Sequence, residues 1–228
     1  MAFLYKILAI LGLMSLAGAI LHGFRYEPMA AHTNLYFNVA MYGAFIFVHL
    51  FMTMPAFKKA VFGSATGSIR ERQVYILVTV ITWWALLWFH KPIGGLAVDL
   101  PIWVNFLGYS IGLFGFFLFF EYMDLVAIQQ FLGVPGETLS HSTGGETPLM
   151  TEGSYASVRH PMYRGAMILG AGGLLIHPNM GQLVFTALIG LTFILFIPVE
   201  ERLLVKARGN EYLEYKKSVP YRLFRGIW

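Results

Sequence analysis

The stretch that decides the fold runs from Gly165 to Glu201 and reads GAMILGAGGLLIHPNMGQLVFTALIGLTFILFIPVEE. It is too long for one membrane helix, which needs about 20 apolar residues. His177-Pro178-Asn179 interrupts it, because proline removes a backbone donor and asparagine favours turns. The stretch therefore predicts a helical hairpin. Its first arm, Gly165–Ile176, is short for a full crossing and can begin deeper in the membrane, beside polar protein.

Four further apolar runs precede the hairpin and predict membrane helices: Phe3–Leu21, Leu35–Met54, Val74–Phe89 and Ile102–Phe120. The first fits a retained helix better than a cleaved signal peptide. Of the 228 residues, 57% are hydrophobic and only 12% are charged, against about half and about a quarter in soluble domains. The sequence predicts an all-α fold, a polytopic membrane helical bundle with about six crossings, the hairpin included.

The distribution of positive charge predicts the orientation. With six crossings, 14 of the 16 Lys and Arg residues lie on one side, seven of them in the tail after Val199, and only Arg25 and Lys91 lie on the other. The richer side is expected to be cytoplasmic, which places both termini and a C-terminal helix there. Five crossings would put the seven tail charges outside. The net charge of +4 is thus explained by topology, and no nucleic-acid partner is expected.

The chain divides into two predicted halves within one structural domain. Residues 1–131 form a four-helix membrane half, and residues 132–228 form a cytoplasmic loop, the hairpin and the tail. The loop is rich in Gly, Ser, Thr and Pro. The chain contains no cysteine, which excludes a thiol nucleophile, a thiolate metal site and a disulfide. No metal site is expected.

Polar residues cluster at both ends of the hairpin. Arg159, His160 and Tyr163 precede it, and Glu200 and Glu201 end it. Because a hairpin returns the chain to its starting face, the two groups should meet. An acid at the membrane boundary is costly unless it has a partner or a ligand, so either a structural ion-pair network or a binding site explains them.

Two other features have both a functional and a structural interpretation. His49 lies inside an apolar span, where an ionisable residue is a candidate catalytic group, although a ring hydrogen-bonded to a neighbouring helix is the alternative. Tyr212 and Tyr215 lie three residues apart in the tail. They can line a pocket or form an interfacial aromatic belt.

The spacing as a whole resembles that of the integral-membrane methyltransferases. The pattern is Arg159-His160-Pro161-x-Tyr163-x-Gly165, an apolar hairpin, Glu200-Glu201, then Gly209-x-x-Tyr212-x-x-Tyr215-x-x-x-Val219-Pro220. These families include isoprenylcysteine carboxyl methyltransferase, phospholipid methyltransferases and bacterial methanethiol S-methyltransferases, and the resemblance covers about Gly153–Pro220. It implies S-adenosyl-L-methionine as cofactor, bound without a Rossmann domain at a site opening to the cytoplasm. The implied cofactor-binding residues are His160, Tyr163, Glu200, Glu201, Tyr212 and Tyr215, and the candidate catalytic residues are Arg159, Glu201 and His49.

The N-terminal half is similar to one branch of these enzymes. His49-x-x-Met52-x-x-Pro55-x-Phe57-Lys58 and Lys91-Pro92-Ile93-Gly94-Gly95 resemble methanethiol S-methyltransferase and relatives associated with nitrogen-oxide metabolism (the NnrU group). The expected methyl acceptor is therefore a small thiol.

Several alternatives stay open. They are a prenylcysteine carboxylate or a lipid amine as acceptor, an NADPH-dependent sterol-type reductase with a similar Arg-His-Pro-x-Tyr-x-Gly, and a non-catalytic membrane protein. The acidic pair favours the sulfonium cofactor, because carboxylates repel the phosphates of a nicotinamide nucleotide. The expected partners are a small-molecule or lipid-like acceptor and membrane lipids.

Overall fold

The computed structural model describes residues 7, 11, 12, 14, 15, 27–31, 33–65, 68–121 and 149–228. Within these ranges it is helical, and the only β-type pairing is an isolated bridge between Ala97 and Asn179. Among the described residues, seven α-helices have defined bounds: α1 Thr33–Thr53, α2 Pro55–Phe62, α3 Ile69–Phe89, α4 Ile102–Phe120, α5 Pro161–Ile176, α6 Met180–Arg208 and α7 Asn210–Ser218. Two short 3-10 turns lie at Gly63–Ala65 and Gly153–Ala156.

Four of the described helices are long and apolar enough to cross a membrane, namely α1, α3, α4 and α6. Three of them match predicted spans, and α4 has the predicted bounds Ile102–Phe120. The prediction of an all-helical membrane protein is confirmed. The predicted first span and the predicted cytoplasmic loop lie largely outside the described residues. The count of six crossings and the sidedness of the tail stay predictions.

The hairpin turns where the sequence predicts. Helix α5 ends at Ile176 and α6 begins at Met180, with Asn179 capping α6 by accepting a hydrogen bond from the Gln182 amide at 3.0 Å. Proline at the first position of α5 extends that arm one turn beyond the predicted start at Gly165. With 16 residues, α5 is about 24 Å long, short of the roughly 30 Å hydrocarbon layer.

The described residues form two compact units that divide between Gly94 and Gly95. The N-terminal unit contains α1 to α3, and the C-terminal unit contains α4 to α7. The predicted boundary at residues 131 and 132 lies outside the described residues and stays a prediction. In the N-terminal unit, the buried Asn38 side chain accepts from the Lys91 amide at 3.0 Å and donates to the Lys91 carbonyl at 2.7 Å. This interior amide ties α1 to the segment after α3.

In the C-terminal unit, α4 and α5 pack with their backbones in contact. A Cβ atom added at Gly172 would lie 2.5 Å from the Gly112 nitrogen, and one at Gly108 would lie 2.9 Å from the Gly172 carbonyl oxygen. Gly165 is equally crowded, since its added Cβ would lie 2.6 Å from the Phe119 nitrogen. Small residues allow this approach between membrane helices. The pairing fixes the helix that begins with the Arg-His-Pro motif.

We expect Gly172→Ala to destabilise the protein by about 1–3 kcal/mol, because the methyl group would meet backbone atoms that cannot move aside. The matched control is Gly43→Ala in α1, where an added Cβ meets nothing within 4 Å. Thermal unfolding in detergent measures both. Equal stability of the two variants would contradict backbone contact between α4 and α5.

Candidate active site

A buried ion pair joins the two ends of the hairpin. The Arg159 Nε donates to Glu201 Oε1 at 2.6 Å, and the two side chains are only 4% and 3% exposed. The Arg159 Nη1 also donates to the Val219 carbonyl at 2.6 Å. The two polar groups therefore meet, as the hairpin predicts. Removing one partner of such a buried pair typically costs about 3–5 kcal/mol, because the other charge is left unpaired.

The second glutamate is more accessible than the first. Glu200 is 35% exposed, and its Oε2 accepts from the Tyr163 hydroxyl at 2.9 Å. His160 lies between the two acids, with Nδ1 at 3.5 Å from Glu200 Oε2 and Nε2 at 3.4 Å from Glu201 Oε1. The consecutive glutamates thus have different environments: Glu201 is enclosed by protein, and Glu200 is open to a ligand.

Three rings stack beside Glu200. The His160 and Tyr163 rings are parallel, with centroids 5.5 Å apart, and Phe193 stacks on Tyr163 at 4.6 Å. Phe193 lies on α6, among many apolar residues, so its sequence context gives no signal of this role. An aromatic face next to a carboxylate can hold a cation.

The tail tyrosines are part of a small core. Tyr212 and Tyr215 are buried together with Val219 and are covered by Leu204 and Val205. The Tyr215 hydroxyl donates to the Tyr155 carbonyl at 2.9 Å. This burial favours a structural role over an interfacial belt. A direct part of Tyr212 and Tyr215 in cofactor binding stays a prediction.

The last residues, Tyr221–Trp228, form a C-terminal turn that holds the Arg-His-Pro motif by its backbone. The Arg159 amide donates to the Tyr221 carbonyl, and the His160 amide donates to the Arg222 carbonyl, both at 2.9 Å. The turn closes on itself, since the Arg222 amide donates to the Trp228 carbonyl at 2.8 Å. Bonds between backbone groups leave little trace in side-chain patterns, so sequence reasoning missed this element.

Two cations outside the motif also contact Glu201. Lys216 Nζ lies 3.4 Å from Glu201 Oε2, and Arg222 Nε lies 3.3 Å from the same oxygen. The sequence shows them only as members of a basic tail. Their role depends on how α7 and the C-terminal turn fold back, which local spacing does not reveal.

Arg164 holds the segment that precedes the Arg-His-Pro motif. Its guanidinium contacts the hydroxyls of Ser154 and Ser157 at 3.3 and 3.5 Å. Ser154 in turn donates to Glu121 at the end of α4. This chain of contacts anchors the 3-10 turn that precedes His160.

His49 lies in the N-terminal unit, where both of its ring nitrogens are engaged. Nδ1 donates to the Phe45 carbonyl at 2.6 Å, and Nε2 is 2.9 Å from the Thr79 hydroxyl. This is the geometry of the alternative interpretation, a ring hydrogen-bonded to a neighbouring helix. A catalytic role for His49 stays a prediction.

Glu200 and Glu201 raise the pKa of neighbouring side chains. Burial by itself lowers the pKa of His160, but hydrogen bonds and charge from Glu200 and Glu201 outweigh it, so the net pKa is raised. Burial, followed by the charge of Glu201, raises the pKa of Tyr212 to about 12. The site therefore combines two acidic side chains with a histidine whose protonated form they favour and a tyrosine whose ionisation is disfavoured. Within the described residues, no group of three or more His, Asp or Glu side chains could hold a metal ion.

Comparison of the sequence with known proteins finds methyltransferases. Residues 103–211 match the family model of phospholipid methyltransferases. Methanethiol S-methyltransferase 2 of Bradyrhizobium diazoefficiens is 29% identical over 80% of this chain and 70% of its own length. Protein-S-isoprenylcysteine O-methyltransferase of Schizosaccharomyces pombe is 32% identical over 51% of each chain. Methanethiol S-methyltransferase of Crocosphaera subtropica is 27% identical over 82% of this chain and 74% of its own. No solved structure matches the chain significantly.

The chain is therefore similar to the integral-membrane methyltransferases, and this similarity supports an enzyme of that class. The matched range begins in α4 and ends two residues into α7. It therefore contains Arg159, His160, Glu200 and Glu201 but stops before Lys216 and Arg222. The resemblance identified from the motif is confirmed, and the reductase and non-catalytic alternatives are not supported.

We expect His160 to stabilise the folded protein most at low pH. A histidine whose folded pKa is raised contributes stability that is fully present below its unfolded pKa of about 6.5 and is lost as pH rises through the folded value. Thermal unfolding of wild type and His160→Gln between about pH 5.5 and 8.5 measures this. The difference in Tm should be largest at the acidic end and shrink with rising pH. A difference that grows with pH would contradict the charged-bridge geometry.

Proposed function

We propose that the protein transfers a methyl group from S-adenosyl-L-methionine to a small thiol. The observation that carries the proposal is the pair of carboxylates on α6, of which Glu201 is enclosed by cations and Glu200 is reachable beside an aromatic stack. When bound, this cofactor supplies a methyl group on a positively charged sulfur, which a nucleophile takes by in-line displacement. The chain's own residues have to bind, orient and exclude water.

The donor set fits the amino-acid end of the cofactor. Its ammonium requires an anionic acceptor, and Glu200 is 35% exposed and free of the strong arginine pair that occupies Glu201. Charge-assisted hydrogen bonds to a partly desolvated carboxylate are roughly twice as strong as neutral ones. Of the two glutamates, Glu200 is therefore the ammonium acceptor in this proposal. Glu201 keeps Arg159 in place and acts as a positioning residue.

The stacked rings suit the cationic sulfur. His160 and Tyr163 stack in parallel, and Phe193 extends the stack. A cation over an aromatic face gains about 0.5–2 kcal/mol, more as water is removed. The Tyr163 hydroxyl donates to Glu200, so the ring and the carboxylate are held in one arrangement.

A thiol acceptor is supported by how much of the chain each kind of relative covers. Two of the relatives named methanethiol S-methyltransferase align with 80% and 82% of the chain, part of the N-terminal unit included. The isoprenylcysteine relative aligns with 51%. A thiol reacts as its thiolate, which nearby positive charge favours, and Arg159 supplies such charge at the site. The prenylcysteine carboxylate and the lipid amine are the alternative acceptors.

The proposed site opens to the cytoplasm, with both termini on that side. The support is the charge distribution, since 14 of 16 Lys and Arg residues share one face in the six-crossing topology. A charged cofactor can then arrive from water while an apolar acceptor arrives from the membrane.

Calorimetric titration of the purified full chain in detergent tests the cofactor. We expect binding of S-adenosylmethionine and of its demethylated product, and no binding of NADPH. A radiolabelled methyl assay with methanethiol, a prenylcysteine and phosphatidylethanolamine then assigns the acceptor. Binding of NADPH alone would overturn the proposed cofactor, and transfer only to the prenylcysteine or the lipid would overturn the thiol.

We expect Glu200→Gln to weaken cofactor binding about 10- to 100-fold, because a neutral amide replaces the ammonium's charged partner. The fold should be retained, since Glu200 is partly exposed and its contacts are with Tyr163 and His160. The control is Glu214→Gln, a 69% exposed glutamate paired with Lys217, which should change neither affinity nor Tm. Unchanged affinity in Glu200→Gln would sink the assignment of Glu200 to the ammonium.

A further inference from the structure

Positive charge around Glu201 exceeds what this carboxylate can balance. Arg159, Lys216 and Arg222 all lie within 3.4 Å of its oxygens. His160 is a further cationic neighbour when protonated. Glu200 is the second carboxylate of the group, and the proposed function assigns it to an ammonium. The cluster therefore has an uncompensated positive charge.

Arg159, Lys216 and Arg222 differ in how closely they contact Glu201 and in how exposed they are. Arg159 is buried, and its bonds to Glu201 and the Val219 carbonyl are both 2.6 Å long. Lys216 and Arg222 are 32% and 28% exposed, and both approach the other oxygen at longer range, 3.4 and 3.3 Å. A lysine has three N–H donors and an arginine has five, so a single long contact leaves donors for a ligand.

These two cations line a cleft next to the site. It measures about 310 Å³ and is bounded by residues of α6, α7 and the C-terminal turn: Pro198, Glu201, Arg202, Val205, Lys216 and Arg222. Three of the six are cations and one is an acid. A concave surface with a net positive charge and apolar walls concentrates anionic ligands. Its volume is at the lower end for ligand pockets, which suits one end of a larger molecule.

We propose that Lys216 and Arg222 form the subsite for the α-carboxylate of the methyl donor. The inference rests on the proposed function, because it takes S-adenosylmethionine as the ligand. The ammonium and the carboxylate are attached to one carbon atom, so their subsites must adjoin. Glu201 connects the two subsites here, since it follows Glu200 on α6 and contacts both Lys216 and Arg222. Arg159, the third cation at Glu201, is already engaged with Glu201 and with the Val219 carbonyl.

Lys216 and Arg222 lie beyond residue 211, where the family match ends. The subsite is thus formed by residues of α7 and the C-terminal turn that lie outside the range of the family match. Arg222 also makes a cation–π contact, with its guanidinium carbon 4.8 Å from the centre of the Trp228 ring.

The test compares two ligands, S-adenosylmethionine and its decarboxylated analogue, S-adenosyl-3-methylthiopropylamine. Affinities are measured by calorimetry on the full chain in phosphatidylcholine nanodiscs, for wild type, Lys216→Gln and Arg222→Gln. We expect wild type to prefer the carboxylated ligand by about tenfold or more. Each variant should lose most of that preference while its affinity for the decarboxylated analogue changes less than about twofold.

Lys217→Gln is the matched control. Lys217 is adjacent in sequence, 72% exposed and paired with Glu214, so its preference should equal that of wild type. Arg222→Lys should retain part of the preference, because it keeps the charge but loses the planar fork. Lys216→Gln keeps the test decisive if Arg222→Gln proves unstable.

The outcomes separate the two proposals. If wild type binds neither ligand, the proposed function fails. If wild type binds both ligands and the variants weaken both equally, the proposed function stands and the carboxylate subsite is wrong. A third arm adds anionic phosphatidylglycerol to the nanodiscs. If the variants abolish a response to that lipid and leave the ligand preference unchanged, the cleft takes a lipid phosphate and the proposal is overturned.

Discussion

The ion pair between Arg159 and Glu201 is the interaction on which the rest of the site depends. Both side chains are almost completely buried, and their 2.6 Å contact connects the entry of α5 to the C-terminal part of α6. Desolvating two charges is expensive, and only close geometry with further hydrogen bonds offsets it. The Val219 carbonyl supplies such a bond to Arg159, and Lys216 and Arg222 supply further contacts to Glu201. A group built this way is rigid and tolerates few rearrangements.

The C-terminal segment matters because it helps to hold the buried Arg159–Glu201 pair in place. The backbone of Arg159 and His160 donates to the carbonyls of Tyr221 and Arg222, so the motif is held on its second side by the end of the chain. The small core of Tyr212, Tyr215 and Val219 connects α7 to the same group. Residues distant in sequence therefore decide where the motif's charges lie, and a site of two adjacent glutamates becomes one enclosed and one open carboxylate.

The membrane-embedded helices also position the Arg-His-Pro motif, but they do so by close backbone packing. Between lipid-facing helices, burial of apolar side chains gives little driving force, and close backbone contact replaces it. The glycine-lined packing of α4 on α5 fixes the helix that starts at Pro161. Proline at position 198 removes one backbone hydrogen bond in α6 just before the glutamates. The aqueous end of the hairpin is thus set by side-chain ionic contacts, and its membrane part by glycine.

Much of this architecture is determined by the sequence alone. Apolar length predicts α1, α3 and α4 within a few residues, and proline and asparagine predict the hairpin turn at His177–Asn179, because these are local effects of solvation and backbone geometry. The meeting of Arg159 and His160 with the glutamates follows from the hairpin. Tertiary structure alone decided which glutamate is enclosed, that Phe193 extends the aromatic stack, and that Lys216 and Arg222 face Glu201. These depend on how α7 and the C-terminal turn fold back, through backbone bonds and charge contacts between residues far apart in the chain, and no local pattern encodes that pairing.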